Sequence, residues 1–340
     1  MAAHQELPAV VERVANHTLE RDMESETWQK AVALNGLLAV GGYDDAVRRL
    51  VDRSIATQTS AGQFSYGSLD PKSWTDEVEY QSQTDPAALG YPVLEFYDRT
   101  GDEAYLEAAE RQYEYLAEEA QRTADGGIGH HRGKVELWVD AVYMLSPFLA
   151  RYGAVADEPA AIDDAARQII VQTKHLRDPH TGLYRHEWRE QPNVFPEDTL
   201  WSRGNGWVAA GILDALEYVP EDHDDRDELV EIFTDLCAAV RPLQDASGYW
   251  HNILDDDQSA LETSGTLMFA YAFREGIDRG LLDESEYDQA ATDALEVTKG
   301  VVGDDGAVNR VVGPPGGPGV PFAVTSYGQG WFLLAASQFS

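Results

Sequence analysis

Cysteine is nearly missing from this chain of 340 residues: Cys237 is the only one, which rules out an intramolecular disulfide framework. It lies in an apolar helical run and reads as a small buried hydrophobe. Lysine is scarce as well, with Lys30, Lys72, Lys134, Lys174 and Lys299 the full set. Only 25 basic residues face 60 acidic ones, for a formal charge of −35. So negative a chain repels phosphate backbones and anionic bilayers, so neither nucleic acid nor a membrane is expected as a partner. No apolar run approaches the length of a membrane span. The opening stretch carries Glu6, Glu12 and Arg13 where an export signal needs an apolar core, so a cytoplasmic protein is expected. There is no G-x-S-x-G elbow, P-loop, Rossmann fingerprint, H-E-x-x-H pair or paired-cysteine spacing, and no cofactor or metal is expected.

The acids that are present spread along the chain and gather on outer helix faces, as in EDHDDRDE from Glu221 to Glu228. Such a surface suits a high-salt cytoplasm, where the charge is screened and keeps the protein hydrated. Contacts between copies would be small or salt-dependent, which gives a monomer or weak homo-oligomer.

Apolar residues recur with helical period through about twelve segments. They run near 6–20, 27–40, 44–59, 86–98, 103–123, 137–152, 159–176, 205–218, 226–242, 262–279, 284–299 and 326–338. The segments fall into pairs, and turn sequences such as Asp125-Gly126-Gly127, Ser247-Gly248 and Asp305-Gly306 recur between them. Segments 205–218, 262–279 and 326–338 are apolar nearly all round, as helices surrounded by neighbours must be. Their partners 159–176, 226–242 and 284–299 carry acidic stripes suited to solvent. Six hairpins of alternating inner and outer helices predict an all-α, closed (α/α)6 toroid, with residues 1–340 as a single domain. Two long stretches poor in helix signal, Gly62 to Asp85 and Gly303 to Val324, are either lids or surface excursions.

Just ahead of the inner helices stand Asp85, His130 and His131, Asp140, His186, Trp201, Arg203, Asn205 and Trp207, then Trp250, His251 and Tyr327 to Trp331. Read as a helix starting near Leu137, the segment KVELWVDAVYM leaves Asp140 in the first turn, off the apolar stripe of Trp138, Val142, Leu145, Leu149 and Tyr152. There a carboxylate either complements the helix dipole or points into a cavity. Asp85 precedes Pro86, as a helix N-cap does. Each residue has a structural explanation taken singly. Together, tryptophan faces with Arg, Asn and His around two carboxylates suit a sugar pocket, where aromatic planes cover apolar sugar faces and polar groups hold hydroxyls.

Three ordered motifs carry a resemblance. W-x-D-x-x-Y-M at Trp138 to Met144, W-x-R-G-N-G-W at Trp201 to Trp207 and L-E-T-S-x-x-x-M-F-x-Y-A at Leu261 to Ala272 resemble the unsaturated rhamnogalacturonyl hydrolases of glycoside hydrolase family 105. The unsaturated glucuronyl hydrolases of family 88 are similar but less close. The resemblance implies an (α/α)6 barrel acting on oligosaccharides that end in a Δ4,5-unsaturated uronic acid. In that chemistry an aspartic acid protonates C4 of the vinyl ether and, as carboxylate, takes a proton from water attacking C5. By motif Asp140 is that acid and base, and Asp85 the second carboxylate. His130, Trp138, His186, Trp201, Arg203 and Trp207 would contact substrate, with Arg203 gripping the uronate in a bidentate pair. Burial and Asp85 are expected to keep Asp140 protonated. Three other readings remain open: an inverting glycosidase using Asp140 and Asp85, a sugar epimerase using His186 and His251, and a non-catalytic helical scaffold.

Overall fold

A computed structural model of the chain describes residues 6–24, 26–64 and 82–339. Helix α1 (Leu7–Glu20) precedes the pairs α2 (Trp28–Val40) with α3 (Asp44–Ala56), α4 (Gly90–Thr100) with α5 (Glu103–Glu114) and α6 (Ala141–Ala156) with α7 (Pro159–Leu176). The order continues through α8 (Ser202–Leu216) with α9 (Arg226–Val240) and α10 (Thr263–Asp278) with α11 (Glu284–Lys299), and α12 (Ser326–Ser337) packs on α1. The even-numbered helices form the inner ring of an (α/α)6 barrel and the odd-numbered ones the outer ring.

Sequence dictates which helix goes where. Helix α8 is buried without a break from Ser202 to Leu213, as its all-round apolar composition requires. Helix α9 buries only Leu229, Phe233, Leu236, Cys237 and Val240, one stripe at spacings of three and four, and turns its acids outward. The ring closes where α12 meets α2. A Cβ on Gly36 would stand 2.6 Å from Gly330 O, and one on Gly330 would stand 2.4 Å from Val32 O. Glycine costs a helix about 1 kcal/mol relative to alanine, and here that cost is offset by backbones in direct contact.

Two of the recurrent Gly turns share one job. Gly248 and Gly306 both have positive φ (93° and 84°), and a Cβ there would strike Asp293 O at 2.9 Å and Arg13 O at 2.1 Å. Each turn thereby seats on the backbone of an outer helix before the chain returns inward.

Short antiparallel strands gather at one mouth. They are β1 (Glu136–Trp138), β2 (Glu187–Arg189) and β3 (Val194–Glu197) in one sheet, the pair β4 (Trp250–His251) and β5 (Leu261–Glu262), and the pair β6 (Val311–Val312) and β7 (Phe322–Ala323). Strands β1, β3, β5 and β7 lead into α6, α8, α10 and α12, so they aim the first residues of the inner helices into the bore.

Two local expectations are corrected. Residues 136–138 are strand rather than first helical turn, because Leu137 pairs with Trp188 and Val139 N donates to His186 O at 3.0 Å. Trp138 therefore leaves the helical stripe, and Asp140 stands at the N-cap position of α6. Asp85 is not an N-cap: that position belongs to Thr84, and Asp85 opens a 3-10 turn over Asp85–Leu89 that runs into α4. Most of the stretch from Gly62 to Asp85 lies outside the described residues, whereas Gly303 to Val324 folds as the β6–β7 hairpin against the mouth.

Candidate active site

Asp140 makes no side-chain cap to its own helix. Its Oδ2 is buried without a hydrogen-bond partner among the described residues and lies 3.6 Å from His186 Nε2, an ion-pair distance rather than a hydrogen bond. Burial pushes this carboxyl up, but His186, then His130 and Arg203, outweigh it and hold Asp140 below the usual carboxylate range. Asp85 behaves oppositely. Burial first, and the negative charge of Asp140 second, raise it to about 7 against the pull of the Ser82 hydroxyl. The direction expected for Asp140 is thus reversed: the groups beside it favour its carboxylate, and Asp85 is the member of the pair whose affinity for a proton is raised.

Rings wall the carboxylates. His130 stacks on Trp138 at 4.3 Å and 10°, Trp138 meets His186 edge-on at 5.2 Å, and His186 lies 4.9 Å from Trp201. The Arg203 guanidinium carbon sits 4.2 Å over Trp201 and 4.8 Å over Tyr327. Deeper in the bore, Trp207 packs against Trp28, Tyr143 and Trp331. Trp138 Nε1, Trp201 Nε1, Trp207 Nε1, Arg203 Nε and both nitrogens of His186 are buried and unpaired among the described residues. Buried polar groups in that state are costly, so a wall of them suits a ligand rich in oxygen acceptors.

Local sequence sets these positions. In W-x-R-G-N-G-W, Asn205 receives Tyr184 N at 2.8 Å and donates to Tyr184 O and Trp201 O, both at 3.0 Å, tying the His186 loop to α8. In L-E-T-S, Glu262 accepts from Ser264 N at 2.7 Å, from the backbone of Gly265 and from Ser202 Oγ at 3.0 Å, joining the starts of α10 and α8. Arg203 gives Nη1 to Ser264 Oγ (3.1 Å) and Val312 O (2.8 Å), and Nη2 to Gly313 O (3.3 Å). Three of its five N–H bonds are spent on the protein, leaving Nε–H and one Nη2–H. Among the described residues no three metal-ligating side chains converge.

The sequence model of glycosyl hydrolase family 88 matches residues 3–340. The chain belongs to this family. It is similar to the unsaturated rhamnogalacturonyl hydrolase YesR of Bacillus subtilis (strain 168), 30% identical over 252 residues that cover 71% of each chain. It is also similar to an unsaturated 3S-rhamnoglycuronyl hydrolase of Alteromonas sp. (strain LOR), 29% identical over 283 residues, 77% of this chain and 67% of that one. A solved structure described as a possible member of the GH105 family, from Salmonella enterica serovar Paratyphi A, covers 100% of this chain and 94% of its own at TM-score 0.84 and 24% identity, which shows the fold.

In this family 88 hydrolase Asp85, His130, Trp138, Asp140, His186, Trp201 and Arg203 come together, and Trp207 lies below them in the bore. Two candidates go elsewhere: Trp250 is core, donating Nε1 to Val240 O at 2.9 Å, and His251 binds Ser259 O at 2.6 Å within its own loop. The epimerase reading that needed His251 beside His186 loses its geometry. Sequence reasoning gave no site role to Trp28 or Thr84. Trp28 opens α2 as Trp201 precedes α8, and that equivalence of position was the available signal. Among the described residues no helix is long and apolar enough to cross a membrane.

Proposed function

We propose that this hydrolase removes a terminal Δ4,5-unsaturated uronic acid from lyase-generated oligosaccharides, by hydration of the vinyl ether with Asp140 as acid and base. The observation that carries the assignment is the buried pair Asp85 and Asp140, whose proton affinities are split in opposite directions against a wall of unpaired donors. In the free protein the pair holds one proton, on Asp85. An anionic sugar entering beside Asp140 raises that group's affinity for the proton, because like charges disfavour the ionised form. Asp140 then protonates C4. Water adds to the resulting cation at C5, giving its proton to the Asp140 carboxylate and leaving a hemiketal. The hemiketal opens to a C5 ketone, and the hemiacetal left at C1 expels the aglycone as an alcohol. One water is consumed, and Asp140 ends protonated as it was just before it protonated C4, so the pair again holds a single proton.

Arg203 retains Nε–H and one Nη2–H, which suits the uronate carboxylate. Trp138, Trp201 and Trp207 offer indole N–H groups, and His130 and His186 offer donors to hydroxyls. The names of the two curated relatives support a rhamnose-type sugar beyond the cleaved bond. The charge of −35 supports work at high salt in the cytoplasm, as a monomer or weak homo-oligomer. The test is an assay in molar salt with unsaturated disaccharides from pectin and glycosaminoglycan lyases, following loss of the enol-acid absorbance. Decay with release of the second sugar is expected. Cleavage of saturated glycosides with the unsaturated ones untouched would replace hydration by the inverting mechanism.

A further inference from the structure

Thr84 occupies the N-cap position of the turn Asp85–Leu89, where a threonine hydroxyl ordinarily accepts from a backbone N–H two or three residues on. Here it makes no such bond. Its Oγ1 lies instead 2.7 Å from His130 Nδ1, and both side chains are buried, Thr84 completely. The rest of His130 is fixed by other means: its N donates to Glu136 O and its O accepts from Gln83 N, both at 2.7 Å, while the ring lies flat on Trp138. The plane of the ring is therefore set without the Thr84 bond. What it decides is which nitrogen carries the hydrogen.

We infer that Thr84 is a positioning residue that donates its hydroxyl hydrogen to His130 Nδ1 and so holds the imidazole in the neutral Nε2–H tautomer, as a fixed donor toward the Asp140 side of the pocket. Two observations set the direction. Thr84 Oγ1 is buried and has no other partner among the described residues, so accepting from Nδ1 would strand its own hydrogen. Asp140 is the negative charge that His130 feels, and a neutral ring meets that charge better with an N–H than with a lone pair on the nitrogen Thr84 leaves free. Burial and the neighbouring His131 push His130 down to about 3, so the ring stays neutral through the working range. His130 can then donate to a sugar oxygen or to Asp140 but cannot shuttle a proton. This deepens the hydration reading above and rests on it for the kinetic consequence only.

The test is nitrogen-15 NMR of histidine-labelled full-length protein in high salt at pH 7, with H130Q used to assign the ring. A protonated Nε2 and a hydrogen-bonded, unprotonated Nδ1 are expected. T84V should mix the tautomers and raise KM for the unsaturated disaccharide about ten-fold with kcat within about three-fold, the scale of one hydrogen bond, and T84S should restore both. A proton on Nδ1 in the unmodified protein overturns the inference, as does a T84V spectrum that keeps Nε2 protonated and Nδ1 unprotonated. A protein inert toward unsaturated disaccharides would overturn the functional reading, while the nitrogen shifts would still decide the role of Thr84.

Discussion

His186 Nε2 stands 3.6 Å from Asp140 Oδ2, on a loop whose backbone also pins Val139, the residue before Asp140. One segment thus fixes both the position and the charge of the proposed acid and base. Burial pushes Asp140 up, but His186 first and then His130 and Arg203 hold it below the usual carboxylate range, while burial and Asp140 push Asp85 up. The site is a two-carboxylate device whose asymmetry is imposed from outside the pair.

Replacing Asp140 by Asn keeps the shape and removes both proton donor and acceptor. Turnover of the unsaturated disaccharide should fall by about 10³-fold or more while binding persists, since general acid–base groups contribute about 10²–10⁴-fold and here one group serves two steps. Isothermal titration of D140N with substrate, beside its kcat, checks this. Residual turnover near that of the unmodified enzyme would remove Asp140 from the centre of the mechanism.

With Asp85 raised to about 7, the alkaline side of the pH profile is expected to follow its proton. Activity should decline as the pair loses its single proton above pH 7. In Asp85→Asn the only remaining carboxyl is Asp140, held below the usual range, so the decline should move well below pH 7 and kcat at pH 6.5 should drop about 10²-fold. Profiles of kcat/KM from pH 4 to 9 for both proteins decide it, and an unmoved alkaline limb in D85N would contradict the assignment.

Asp214 lies in the bore on α8, accepting the Tyr271 hydroxyl at 2.6 Å. Burial, aided by Glu217 and Glu275, lifts it from 3.8 to about 7 against Tyr271 and Arg279. The folded state therefore keeps a proton that the unfolded chain releases above about pH 4. Stability falls as pH rises from about 4 to 7, by at most a few kcal/mol from this group. Asp214→Asn should be the more stable protein at pH 8 and show a shallower pH dependence. Urea unfolding at pH 5 and pH 8 measures the difference.

Gly330→Ala should open the barrel at its closing seam. The new Cβ would sit 2.4 Å from Val32 O and 2.7 Å from Ala33 N, both backbone atoms that cannot swing aside. Overpacking should cost about 2 kcal/mol or more, exceeding the helical preference for alanine of about 1 kcal/mol. A lower urea midpoint is expected, and an unchanged or higher one would show that α2 and α12 separate freely.

The twelve helices of the described residues, their pairing and the inner positions of α8, α10 and α12 were legible in the chain, because periodicity and the width of an apolar face are local properties. So were the motif residues Asp140, Trp201 and Arg203. The strand at 136–138 was not, since its pairing partner Trp188 lies on β2, far along the chain, and the residues themselves also fit a helical stripe. The role of Thr84 was hidden for the same reason: an N-cap threonine gives no sign that its hydroxyl is taken by His130. By itself the sequence determined the all-α barrel and offered Asp85, Asp140, His186, Trp201 and Arg203 as site candidates, without telling them from Trp250 and His251, which go elsewhere. Only the tertiary structure decided which aspartate carries the proton, how much of Arg203 is free and which imidazole nitrogen faces the pocket. Proton affinity and hydrogen-bond direction depend on burial and on charges brought together from distant segments, which no local pattern records.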